Sequence, residues 1–143
     1  MKTFEEFVTK GIVRKQTPNK ERARALVNEA NKKKEFLEVA LKSISPEQLS
    51  PNFVVECCYD ILMELIRAKM FKEGYNSENS HEAEVSYARI IGFGEGDVRF
   101  MDELRYFRNG IKYYGRILDK EYAEKALSFL HKSYPLLIAE KER

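Results

Sequence analysis

Strand signals are nearly absent from this 143-residue chain. No Val/Ile/Thr-rich stretch alternates with period two, and no Asn-Gly or Asp-Gly pair separates two apolar runs, which argues against a hairpin-based fold. Histidine and cysteine are scarce, two of each. His81 and His131 lie far apart and no Cys-x-x-Cys occurs, so metal-ligand spacing is missing and neither a zinc site nor a cofactor is expected. Cys57 and Cys58 are adjacent, which disfavours a bridge between them. They fall within the run VVECCYDILMELI, where a thiol acts as a small hydrophobe. No stretch approaches the ~18 apolar residues of a membrane span, and the opening MKTFEEFVTK lacks a secretory apolar core. The expectation is a protein of the reducing cytoplasm with no membrane partner. Net charge is also small, +2, so composition alone gives no reason to expect nucleic-acid binding.

What is present is helical periodicity. Hydrophobic residues make up 43% and charged residues 34%, a balance that fits one folded domain of this length. Apolar residues recur at three and four through most of the chain. The pattern predicts a short helix from Thr3 to about Val13, then a long one opened by Thr17-Pro18, with Thr as cap and Pro as first residue, running to about Ser43. A third helix runs from Pro51 to about Lys72 and is apolar around much of its circumference, so it is either central or covered by a second subunit. A fourth, capped by Asn79 or Ser80, runs from His81 to about Ile91. The fifth, Asp97 to about Tyr114, has Gly110 in its interior and Gly115 as its stop. The sixth begins near Asp119, and Pro135 ends or kinks it. The fold class expected is all-α: an antiparallel bundle of five to six helices in a single domain, residues 1–143, with a core bundle over about 18–140 and a short N-terminal helix in 1–16.

The small net charge conceals segregation. Residues 14–34 carry eight basic against two acidic side chains, residues 35–84 four against ten, and residues 99–116 five against two. In the fifth helix Arg105, Arg108, Lys112 and Arg116 are spaced three, four and four, a basic stripe, with Tyr106 and Tyr113 seven apart on another face. Basic side chains interleaved with aromatics suit phosphate contact and base stacking. The plainer interpretation is a solvated face, or one paired with the acidic third helix.

The segment from Leu104 to Gly115, LRYFRNGIKYYG, resembles the end of the fourth core helix of HEPN domains, small all-α bundles common in prokaryotes. Those proteins are often paired with minimal nucleotidyltransferases in toxin–antitoxin modules. The family pattern is Arg, frequently followed by Asn, then four to six residues and His. Arg108-Asn109 matches its start. The order of elements over about residues 51–135 is similar too: a long apolar helix, a loop, an Asn-Ser-His helix start, a Gly-rich connection, the Arg-Asn helix and a last helix. The resemblance implies a homodimer with Arg108 and Asn109 at a cleft between subunits, and metal-independent cleavage of RNA by Arg and His. This chain departs from that pattern at the His. Tyr113 stands at the His position, followed by Tyr114 and Gly115, and no His follows Arg108 until His131. A phenol titrates near 10 and is a poor base at neutral pH.

Three readings follow. The first is a catalytically degenerate HEPN-like protein whose basic cleft takes RNA or a nucleotide, or docks a nucleotidyltransferase. Its catalytic-position residues are Arg108, Asn109 and Tyr113, and its binding residues are Arg105, Lys112, Arg116 and Tyr106. The second is an active metal-independent ribonuclease using Arg108 with Tyr113, Lys112 or His81, although a helix start places His81 at the surface. The third is a helical protein–protein interaction module with no ligand.

Overall fold

The computed structural model describes residues 2–139. It contains six helices: α1 Phe4–Thr9, α2 Lys20–Ser43, α3 Pro51–Lys72, α4 His81–Ile91, α5 Glu95–Tyr114 and α6 Lys120–Ile138. The only strands among the described residues are β1, Arg14–Lys15, and β2, Tyr75–Asn76, paired antiparallel with Arg14 opposite Asn76. The architecture is therefore an all-α bundle carrying one two-residue ladder. That pair was not visible in the period-two pattern because two residues are too short to show one.

α3 is the central helix. Val54, Val55, Cys58, Ile61, Leu62, Leu65 and Ile66 are all buried, together covering most of its circumference. It packs against α2 and α6 most extensively, and against α4 and α5. Ser50 caps its start by accepting from the Phe53 N–H, with Pro51 in the first turn, where a missing N–H costs nothing. Cys57 is half-buried and Cys58 buried, both as free thiols. Burial pushes their pKa values up to about 11 and about 12, which leaves both protonated and weakly nucleophilic.

Four boundaries differ from the sequence expectation, one being that of α5, which begins at Glu95 and not Asp97, with Gly94 at its cap. α1 stops at Thr9, because Gly11 turns with φ +75° and the Ile12 and Val13 N–H groups fold back onto the Phe7 carbonyl. α2 begins at Lys20 and its cap is Asn19, not Thr17: Asn19 Oδ1 accepts from the Arg22 N–H at 3.0 Å. The residues before it stay extended along the end of α3, where the Gln16 N–H donates to Gly74 O and the Asn19 N–H to Phe71 O, each at 2.8 Å. α6 runs through Pro135 to Ile138. The proline removes one bond to the carbonyl four residues earlier, on exposed His131, where water can replace it. The segregated charge is partly neutralised within the bundle, since Lys33 pairs with Glu64, and Arg108 with Asp60.

Candidate functional site

α5 buries Val98, Met101 and Leu104 and leaves its C-terminal end in solvent. Tyr106, Tyr113, Tyr114 and Ile117 are between 60% and 86% exposed. Gly115 adopts the left-handed conformation at φ 66°, and the Gly115 and Arg116 N–H groups both donate to Gly110 O. This reversal corrects the expected four-residue basic stripe. Arg105, Arg108 and Lys112 share one side of α5, but Arg116 lies beyond the helix and returns across it. Its guanidinium sits 5.5 Å from the Tyr106 ring centroid and 5.1 Å from that of Phe107. Gly110 provides the room, because a Cβ there would lie 2.9 Å from Arg116 Nε.

Asn52, at the start of α3, holds this connector from beneath. Its Nδ2 donates to Arg116 O at 2.9 Å and its Oδ1 accepts from the Leu118 N–H at 2.8 Å. No local pattern singles out Asn52 in the sequence, since the two bonds span 64 and 66 residues.

The predicted cations divide into two sets. Arg105 is engaged by Asp102 at 2.8 Å, and Arg108 lies 3.6 Å from Asp60 with its guanidinium 5.7 Å from the Tyr59 ring centroid. Lys112 lies 5.6 Å from the Tyr113 ring centroid. Among the described residues, neither Lys112 nor Arg116 has a carboxylate within ion-pair distance. Asn109 is half-buried. Tyr113 follows Arg108 by five residues, about 140° around the helix, so the two side chains leave α5 on different faces.

Replacing Gly110 by alanine separates stability from positioning. Alanine favours the helix by about 1 kcal/mol, and the atom in its way belongs to a flexible, exposed side chain. The variant is therefore expected to unfold at or slightly above the wild-type temperature, while Arg116 is displaced from the Tyr106 face. Thermal unfolding, together with an NMR comparison of the Arg116 Nε–H environment, checks both halves.

His81 is not on the open surface. It opens α4 and is half-buried, with Nδ1 3.0 Å from the Tyr59 hydroxyl and the two rings nearly parallel. Nδ1 also lies 3.6 Å from the fully buried Glu84, which accepts two hydrogen bonds from Arg67 and one from Ser77. Tyr59, which no motif in the sequence singles out, thus links His81 to Arg108. Burial lowers the His81 pKa below its ordinary 6.5; the charges of Arg67 and Arg108 lower it further, and Glu84 opposes them. The imidazole is therefore neutral at pH 7. The folded state takes up this proton less readily than the unfolded chain, so the contribution of His81 to stability is complete above pH 6.5 and is lost as pH falls below it. Urea midpoints at pH 7 and pH 5 are expected to fall further for the wild type than for His81→Gln.

Among the described residues, no group of three His, Cys, Asp or Glu side chains comes together to hold a metal, and no helix is long and apolar enough to cross a membrane. No known family model, characterised protein or solved structure matches the chain.

Proposed function

We propose that this chain is a HEPN-like protein of the catalytically degenerate kind that binds single-stranded RNA, acting as a homodimer in a toxin–antitoxin or defence-type module. A minimal nucleotidyltransferase is the protein partner its resemblance implies. One observation carries this reading: at the end of α5, Lys112 and Arg116 lie over aromatic rings instead of against acids. A cation held by a ring face keeps its charge available to a phosphate. Exposed Tyr106, Tyr113 and Tyr114 offer π faces to unstacked bases. Arg105 and Arg108, already paired with acids, shape the edge of that surface. Binding without cleavage follows from a tyrosine standing at the His position of the motif.

Titration of a labelled single-stranded RNA at 50 and 200 mM salt tests it. Each phosphate contact contributes about −0.7 to the slope of log affinity against log salt. The double variant Lys112→Gln/Arg116→Gln is expected to flatten that slope by about 1.4 and to bind roughly tenfold or more weakly. Absence of binding by the wild type, or an unchanged slope in the variant, removes the RNA reading. Sedimentation equilibrium showing a monomer removes the homodimer.

A second reading, metal-independent cleavage, is favoured by the Tyr59 link between Arg108 and His81. A neutral imidazole can accept a ribose 2′-hydroxyl proton while a guanidinium holds the phosphate. It requires cleavage that persists in chelator and disappears in both Arg108→Ala and His81→Ala. RNA left intact after long incubation at high protein concentration eliminates it.

A further inference from the structure

A groove of about 360 Å³ opens where the start of α2, the last turns of α3 and the end of α6 meet, remote in sequence from the α5 surface. α2 contributes Lys20, Ala23, Arg24 and Val27, and α3 contributes Leu65, Ala68, Lys69 and Lys72. Each set follows i, i+3, i+4, i+7, so each helix presents a single face to the groove. The two patterns match: the floor is aliphatic and the rim is cationic. Leu137, Ile138 and Ala139 of the α6 end close the third side. Ala23 and Ala68 are the small residues that keep the space open, and both are buried.

Two features restrict the occupant. The described lining contains no carboxylate and no aromatic ring. The nearby Phe71 is itself covered by Arg22, whose guanidinium lies 4.3 Å from the ring centroid. The floor therefore suits saturated carbon and not a stacked base. At the rim, Lys20, Arg24 and Lys72 have no ion pair with a described residue, while Lys69 donates to Ala139 O at 2.7 Å and ties α3 to the α6 end. The volume lies within the range of small-molecule sites and equals the liquid volume of roughly a dozen waters.

We propose that this groove binds a medium-chain aliphatic anion, its hydrocarbon along Ala23, Val27, Ala68 and Leu137 and its carboxylate or phosphate head between Lys20, Arg24 and Lys72. Both halves of the ligand are required. An inorganic anion leaves the floor wet, and a neutral alkane leaves three cations with no counter-charge from a described residue.

NMR titration of the full chain with octanoate, decanoate, decyl phosphate and decanol tests the proposal. Saturable shifts are expected at Ala23, Val27, Ala68 and Leu137, with affinity rising about fourfold per methylene until the groove is filled. Comparison of decanoate with decyl phosphate reports which head group is preferred, and decanol is expected to bind at least tenfold more weakly than either. Ala68→Leu fills the groove and is expected to abolish binding. Should that variant fail to fold, Lys20→Gln/Arg24→Gln, confined to exposed positions, is expected to weaken decanoate about tenfold and leave decanol unchanged. Affinity independent of chain length, shifts centred on the tyrosines of α5, or a folded Ala68→Leu that binds decanoate like the wild type would overturn the proposal. So would self-association lost in Lys20→Gln/Arg24→Gln, which would assign the groove to a second copy.

Discussion

Replacing Glu84 by alanine is expected to destabilise the protein by about 3–5 kcal/mol, the cost of removing one partner from a buried ion pair. The carboxylate is fully buried. One oxygen accepts from Arg67 Nε at 2.7 Å and from Ser77 Oγ at 2.7 Å, and the other from Arg67 Nη2 at 3.1 Å. The bidentate fork joins α3 to α4, and Ser77 brings in the loop between them. Alanine removes every one of these acceptors at once and leaves the guanidinium, three-quarters buried, with only the more distant charge of Glu64. The loss is expected to lower the melting temperature by roughly 10 °C or more. Glu84→Gln keeps one acceptor oxygen and should fall between. The double variant Arg67→Met/Glu84→Leu removes both charges and is expected to recover most of the loss, because an apolar pair needs no compensation. Urea denaturation of the wild type and the three variants decides the matter: a Glu84→Ala cost below about 1 kcal/mol, or no recovery in the double variant, would show that the fork does not hold α4 on α3. His81 shares this carboxylate, so loss of Glu84 should also loosen the Tyr59–His81 bond.

Gly74→Ala is the second large effect, expected at about 2–4 kcal/mol. Gly74 follows α3 with φ +86°, a region costing an L-residue roughly 1–2 kcal/mol. A Cβ there would stand 2.6 Å from Gln16 O. That atom is backbone, and Gln16 donates its own N–H to Gly74 O at 2.8 Å, so neither side can withdraw without breaking the link between the α3 end and the residues that precede α2. The strain adds to the conformational cost. Chemical denaturation gives the magnitude, and faster amide exchange at Gln16 and Asn19 gives the location. The contrast with Gly110 is instructive. Both glycines leave no room for a Cβ, but at Gly110 the obstructing atoms belong to a mobile arginine side chain and at Gly74 to a fixed carbonyl. Equal stability of Gly74→Ala and wild type would contradict this account.

Much of the architecture can be read from local features. The bounds of α3 and α4, the left-handed stop at Gly115 and the Asp119 cap of α6 all follow from signals within four residues of themselves. Where local signals compete, packing decides. Thr17-Pro18 is as good a helix start as Asn19, but Pro18 lies against Gly74 and Gln16 bonds across to it, so the chain remains extended for two more residues. For Arg108, pairing of the basic face with the acidic third helix was legible, but not which residue supplies the acid. The structure supplies Asp60, while Glu64, one turn further along the same face of α3, is taken by Lys33.

The candidate site divides in the same way. Composition and periodicity by themselves established that the protein is helical, that its third helix must be covered on most sides, whether by the bundle or by a second subunit, and that basic and aromatic residues gather at the end of the fifth. These properties depend on the spacing of residues along one segment. Tertiary structure alone decided that Arg116 folds back into the notch at Gly110, that Asn52 clamps the connector carrying it, and that His81 reaches Tyr59 beside Arg108. The aliphatic groove with a cationic rim is likewise assembled from three helices. Each of these depends on the rotation and register of one helix against another. Those are settled by burial summed over the whole core, a quantity that no short stretch of sequence contains.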